Sequence, residues 1–144
     1  MILLGKLFAI ILVLIGLVAP VKADCSKAKN SSRTVVAGGS ITETIFLLKK
    51  SNLLAGADVT SNFPREAKAL PSIGYIRNLS VEGILSLEPT LILAEADIGP
   101  KHVVKQLRDI DLDLRIIDTE YSLSGITAKI NCVAQILNVV PVET

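Results

Sequence analysis

The stretch TVVAGGSITETIFLLKK, residues 34–50, decides the fold. Thr34 to Ala37 read as a short β-strand, and Gly38-Gly39-Ser40 then turns the chain. Ser40 with Glu43 three residues later has the spacing of a capping box, in which hydroxyl and carboxylate satisfy the first free amides of a helix. Ile41, Ile45 and Leu48 give that helix one apolar face, and it is expected to end near Lys50.

Outward from this unit, strand-like and helical segments alternate, which is the pattern of a parallel sheet with helices on both faces, an α/β fold. A weak strand at Leu54 to Ala57 leads to a loop from Asp58 to Pro64 and one helical turn at Arg65 to Ala69. Pro71 to Leu79 has no periodic pattern and is expected to be irregular. Ser80 caps a short helix through Leu87. Leu91 to Ala94 is a continuous apolar run, typical of a strand buried on both faces. Pro100 suits the first position of a helix over His102 to Asp109, and Leu114 to Ile117 is the last strand. From Ser122 on, Leu123, Ile126, Ile130, Val133, Ala134 and Leu137 fall on one helical face.

Toward the N-terminus the chain opens like an export signal. Lys6 supplies the positive start, Leu7 to Ala19 the apolar run, and Val21-Lys22-Ala23 the small residues of a cleavage site. The apolar run is short of the roughly 20 residues a membrane-spanning helix needs. Asp24 stands where a lipoprotein signal carries a small neutral residue before its cysteine, so a lipid anchor on Cys25 is disfavoured. Residues 1–23 are therefore read as a signal peptide, and residues 24–32 as a polar leader.

Without the signal, 13 basic residues face 14 acidic ones over 121 residues, enough chain for one core. A near-neutral chain that is 3% aromatic lacks the basic stripe and stacking rings of a nucleic-acid binder. The two cysteines are far apart, Cys25 at a loose new N-terminus and Cys132 within a helix. Two inert thiols are expected rather than a disulfide, although export permits one.

In open parallel sheets, ligands bind beyond the C-terminal ends of the strands. That rule places Gly38 to Ser40, Asp58 to Asn62 and Glu95 to Gly99 around a mouth. The glycines lack the third glycine of a dinucleotide fingerprint and the Gly-Lys-Ser/Thr of a nucleotide loop, so they read as a plain turn and cap, with lining of the ligand cleft as the alternative. Asp58, Glu95 and Asp97 have no nucleophile or histidine placed to complete a catalytic set, and are expected to be solvated. His102, the single histidine, sits among polar residues and is read as solvated too. No clustered ligands for zinc are present.

Three runs, GGSITETIFLL, GADVTSNFP and LPSIGYIRNLSVEGILSLEPTLILAEADIGP, are similar in order and spacing to periplasmic haem-binding proteins of the HmuT/ShuT type. These lie within a wider group that also carries cobalamin and ferric siderophores. The similarity spans about Arg33 to Leu137. The run GYIRNLS is the most telling part, because the haem-binding members carry tyrosine followed two residues later by arginine there. Thr90 departs from the group, which often has aspartate at that place.

The resemblance implies one lobe of a two-lobed binding protein, residues 33–121, with residues 122–144 the start of a helix bridging to a second lobe that is absent. It implies a non-enzymatic component of a haem ABC importer, periplasmic, binding hemin and delivering it to the membrane permease. The alternatives are a cobalamin or ferric-siderophore carrier, or a truncated product without transport activity. Tyr75 is the implied axial ligand to haem iron. Ferric iron favours an anionic oxygen, and tyrosinate is a known haem ligand. Residues two apart in an extended segment point the same way, so Arg77 is expected beside the phenol, favouring its ionised form. A contact from Arg77 to a haem propionate is the other possibility. Gly39 and Ser40 are implied to line the ligand cleft, and Glu82 to face an arginine of the permease. Its place in the first turn after Ser80 also suits the helix dipole.

Overall fold

The computed structural model describes residues 24–118 and 120–140, so the expected signal peptide lies outside it. In chain order the elements begin with β1 (Thr34–Ala37), α1 (Gly39–Leu47), β2 (Leu54–Ala57), β3 (Gly74–Tyr75) and β4 (Asn78–Leu79). They continue with α2 (Val81–Leu85), β5 (Leu91–Glu95), α3 (Lys101–Asp109), β6 (Leu114–Ile117) and α4 (Leu123–Ile136). Single 3-10 turns occupy Ser51–Leu53 and Arg65–Ala69.

Four strands pair in parallel in the order β2-β1-β5-β6. The central strands β1 and β5 are buried on both faces, which explains why TVVA and LILA lack polar alternation. Alternate side chains feed two cores. Val36, Leu91, Leu93 and Ile117 pack with Ile41 and Ile45 of α1 and with Val133 and Ile136 of α4. On the other face Val35, Ala37, Ile92 and Ala94 meet Ile84 of α2, Val103 and Leu107 of α3, and Ile73, Ile76 and Leu79. From β1 the chain passes to β2 on one side, and from β5 to β6 on the other. The C-terminal ends of β1 and β5 therefore flank a topological switch point, where open α/β sheets hold their ligands.

Several expectations are corrected. Cys25 and Cys132 form a disulfide rather than two free thiols. The leader is not loose, because the Ala28 amide donates to the Ile136 carbonyl (2.9 Å) and Arg115 binds both Asp24 and the Ser26 hydroxyl. These ties hold Cys25 where Cys132 can reach it, which neither cysteine's own neighbourhood in sequence reveals. The stretch expected to be irregular contains a small antiparallel hairpin, with Gly74 opposite Leu79 and Tyr75 opposite Asn78. Pro100 caps α3 instead of occupying its first position.

The helix read as the start of a bridge packs on the sheet beside α1 and gives Cys132, Val133, Ala134, Ile136 and Leu137 to the core. Its first turns leave the core, with Leu123 85% and Ile126 55% exposed. After α4, Asn138 adopts a positive φ of 54° and the Val139 amide returns to the Ala134 carbonyl.

Candidate functional site

The floor of the mouth is built where β1 turns into α1. Gly38 has φ 141°, a backbone conformation that side chains rarely adopt, and a Cβ there would stand 2.6 Å from Cγ of Glu95. Its amide donates to Asp58 Oδ1 (2.9 Å). Asp58 is only 3% exposed, and its carboxylate also accepts from the Thr60 amide (3.0 Å) and the Ser61 hydroxyl (3.3 Å). The expected capping box does not form. Gly38 is the N-cap and uses no side chain, so Ser40 falls inside the helix and Glu43 is exposed.

The Ser40 hydroxyl turns to the mouth instead. It donates to Glu95 Oε1 at the end of β5 (2.5 Å) and accepts from Lys129 Nζ of α4 (2.5 Å). Lys129 lies 3.6 Å from Glu95 Oε1, with its side chain 13% exposed. Lys129 escaped the sequence reading. Its signal was there, a lone cation three residues after Ile126 and four before Val133 on an otherwise apolar helix face.

The hairpin supplies the rim. Ile76 is buried in the turn between β3 and β4, and the loop after β5 straps the turn down through Gly99 N to Ile76 O (2.9 Å) and Leu79 N to Gly99 O (3.0 Å). Tyr75, 45% exposed, stays out of the core. Arg77 sits in the turn, so strand alternation does not set its direction. Asp97 does, accepting from Arg77 Nε at 2.9 Å. This hydrogen bond, with the charge of Asp97, raises the guanidinium pKa above its ordinary value.

A cavity of about 800 Å³ opens at this end of the sheet, lined by Gly39, Ser40, Arg77, Glu95, Asp97, Tyr121, Leu123, Ile126 and Lys129 among others. Tyr75 does not line it; it stands in the hairpin strand two residues before Arg77. A narrower groove of about 420 Å³ between α1 and α4 shares Ser40, Ile126 and Lys129 with the cavity and continues to Leu47 and Phe63. The cavity thus gathers Gly39, Ser40 and Arg77. Asp58 and Glu95, expected to be solvated, are buried and half-buried, because each meets a donor brought from a distant part of the chain, whereas Asp97 is exposed as expected while accepting from Arg77. Glu82 is exposed on α2 and His102 exposed on α3, and neither lines the cavity. Among the described residues, no three His, Cys, Asp or Glu side chains converge as a metal site.

Residues 35–139 match the profile of a family described as periplasmic binding protein. The periplasmic heme-binding protein RhuT from Roseiflexus sp. RS-1, in apo form, is similar at 41% identity and a TM-score of 0.69, over 74% of this chain and 41% of that one. The periplasmic heme-binding protein BhuT, in complex with two hemes, is similar at 39% identity and a TM-score of 0.72, over 76% of this chain and 42% of that one. A vitamin B12-binding protein of Pectobacterium carotovorum is 28% identical over 93 residues, 65% of this chain and 33% of the relative. The chain therefore spans well under half the length of the proteins it matches.

Proposed function

The chain belongs to the periplasmic binding protein family, and on that premise we propose that it carries ferric haem in the periplasm to the permease of an ABC importer. One observation carries this reading: an exposed phenol, Tyr75, lies in the rim hairpin two residues before a guanidinium, Arg77, that lines the cavity at the switch point of the sheet. A free phenol keeps its proton near neutral pH, with a pKa of about 10. Ferric iron displaces that proton, and a neighbouring fixed cation favours the resulting anion. Asp97 keeps Arg77 oriented. Gly39 and Ser40 form the floor, and Tyr121, Leu123 and Ile126 offer apolar surface to a porphyrin face.

Glu82, exposed in the first turn of α2, is the residue we assign to docking on an arginine of the permease. A carrier of this kind binds and releases its cargo without a chemical step.

Titration of the chain with hemin tests the proposal. Binding is expected to produce a tyrosinate-type absorption band that Tyr75→Ala removes. A band unchanged in that variant contradicts the assignment. The similarity to a vitamin B12-binding protein favours a second reading, a corrinoid in the same cavity. Direct competition between hemin and cobalamin separates the two.

A further inference from the structure

Lys129, Ser40 and Glu95 are not needed to hold iron, yet they form the most closely bonded polar cluster that faces the cavity. Ser40 Oγ lies 2.5 Å from Glu95 Oε1 and 2.5 Å from Lys129 Nζ. An ammonium has three donors. Lys129 spends one on Ser40, while Glu95 Oε1 at 3.6 Å is beyond hydrogen-bond length. The remaining donors sit where the cavity and the α1–α4 groove meet, since Lys129 and Ser40 line both.

Glu95 is the more exposed member of the pair. Its side chain is 28% exposed, against 13% for Lys129, and it rests on Gly38, where the absence of a Cβ leaves it room. The carboxylate of Glu95 occupies a place at which a serine hydroxyl and a lysine ammonium both address an anion, at the edge of a cavity large enough for an apolar ligand body.

We propose that Ser40 and Lys129 form a carboxylate-receiving subsite, held in the unliganded chain by Glu95 and taken over by a carboxylate of the ligand. Glu95 rotates into water as the ligand carboxylate enters, so one ion pair replaces another. A ligand with the same apolar body but an esterified acid cannot make this exchange. The subsite thus selects acids over esters. It rests on the haem reading for the ligand's identity, a porphyrin propionate, but not on iron ligation.

The test compares hemin with hemin dimethyl ester, and iron-free protoporphyrin IX with its dimethyl ester, on the same chain. The quantity read is the ratio of ester Kd to acid Kd. The wild-type chain is expected to favour the acid, and Glu95→Gln, which removes the resident anion, to raise the ratio by about tenfold, the span of one charge-assisted hydrogen bond. Lys129→Met is expected to bring the ratio near one. A ratio unchanged in Lys129→Met overturns the subsite, even if Glu95→Gln fails to fold. An unchanged ratio in a folded Glu95→Gln overturns it equally. Loss of the tyrosinate band in Tyr75→Ala with the acid preference intact supports both assignments, and a retained band there ends the iron ligation alone. No binding of any of the four porphyrins by the wild-type chain overturns both.

Discussion

Asp58 shows what a single side chain does for the mouth. Buried to 3% exposure, it satisfies the amides of Gly38 and Thr60 and the hydroxyl of Ser61, which in turn meets Thr42 Oγ1 at 2.8 Å. Removing a buried acceptor leaves its donors without partners, at about 1–3 kcal/mol for each such group. Asp58→Ala is expected to lower the unfolding free energy by about 2–4 kcal/mol in urea, with an unchanged m-value. A loss within about 0.5 kcal/mol, the range of an ordinary surface change, contradicts this role. In the sequence Asp58 was one loop carboxylate among several. Its partner, the amide of Gly38, lies twenty residues away, and no local pattern announces the pairing. Ser40 failed for the opposite reason. A local pattern, the capping box, was present, but Glu95 and Lys129 offered the hydroxyl stronger partners.

At the scale of elements, the strands β1, β2 and β6 begin and end where the sequence placed them, and β5 runs one residue longer. For β1 and β5 the signal is burial on both faces, which leaves an unbroken apolar run. The Ser80 cap also forms, accepting from the Gly83 amide at 3.0 Å. The hairpin of β3 and β4 was not legible, because two-residue strands carry no periodicity. Its position comes from Ile76 in the core and from the strap through Gly99. The leader was not legible either, since its ties run to Arg115 and to α4. The Cys25–Cys132 bridge, with a sequence separation of 107, completes those ties. Closing a loop of about 100 residues in the unfolded chain stabilises by up to about 4.7 kcal/mol in the chain-entropy account, and native bridges commonly contribute about 2–5 kcal/mol. Cys25→Ala breaks the bridge while leaving the buried Cys132 to pack as a small apolar residue. It is expected to cost about 2–5 kcal/mol. Equal stability of the variant and the oxidised wild-type chain in denaturant contradicts this.

For the whole molecule, the fold class and the family resemblance were readable because strand–turn–helix order and the GYIRNLS run survive in one sequence. The site was readable only as a set of loops. Which residues face one another depends on the β2-β1-β5-β6 order, and α4 brings Lys129 across the switch point from nearly ninety residues away in the chain. At this scale the proposal separates cargo from delivery. Glu82→Arg is expected to leave the hemin titration unchanged and to reduce permease-dependent import severalfold in a reconstituted assay. Import equal to that of the wild-type chain removes Glu82 from the docking surface.

The chain contains two tyrosines, Tyr75 in the rim hairpin and Tyr121 in the cavity lining. Resonance Raman spectra of the hemin complex, excited in the phenolate-to-iron band, distinguish them directly. Phenolate vibrations are expected to persist in Tyr121→Phe and to vanish in Tyr75→Phe. Vibrations that survive in Tyr75→Phe contradict the central claim that the Tyr75 oxygen bonds ferric haem.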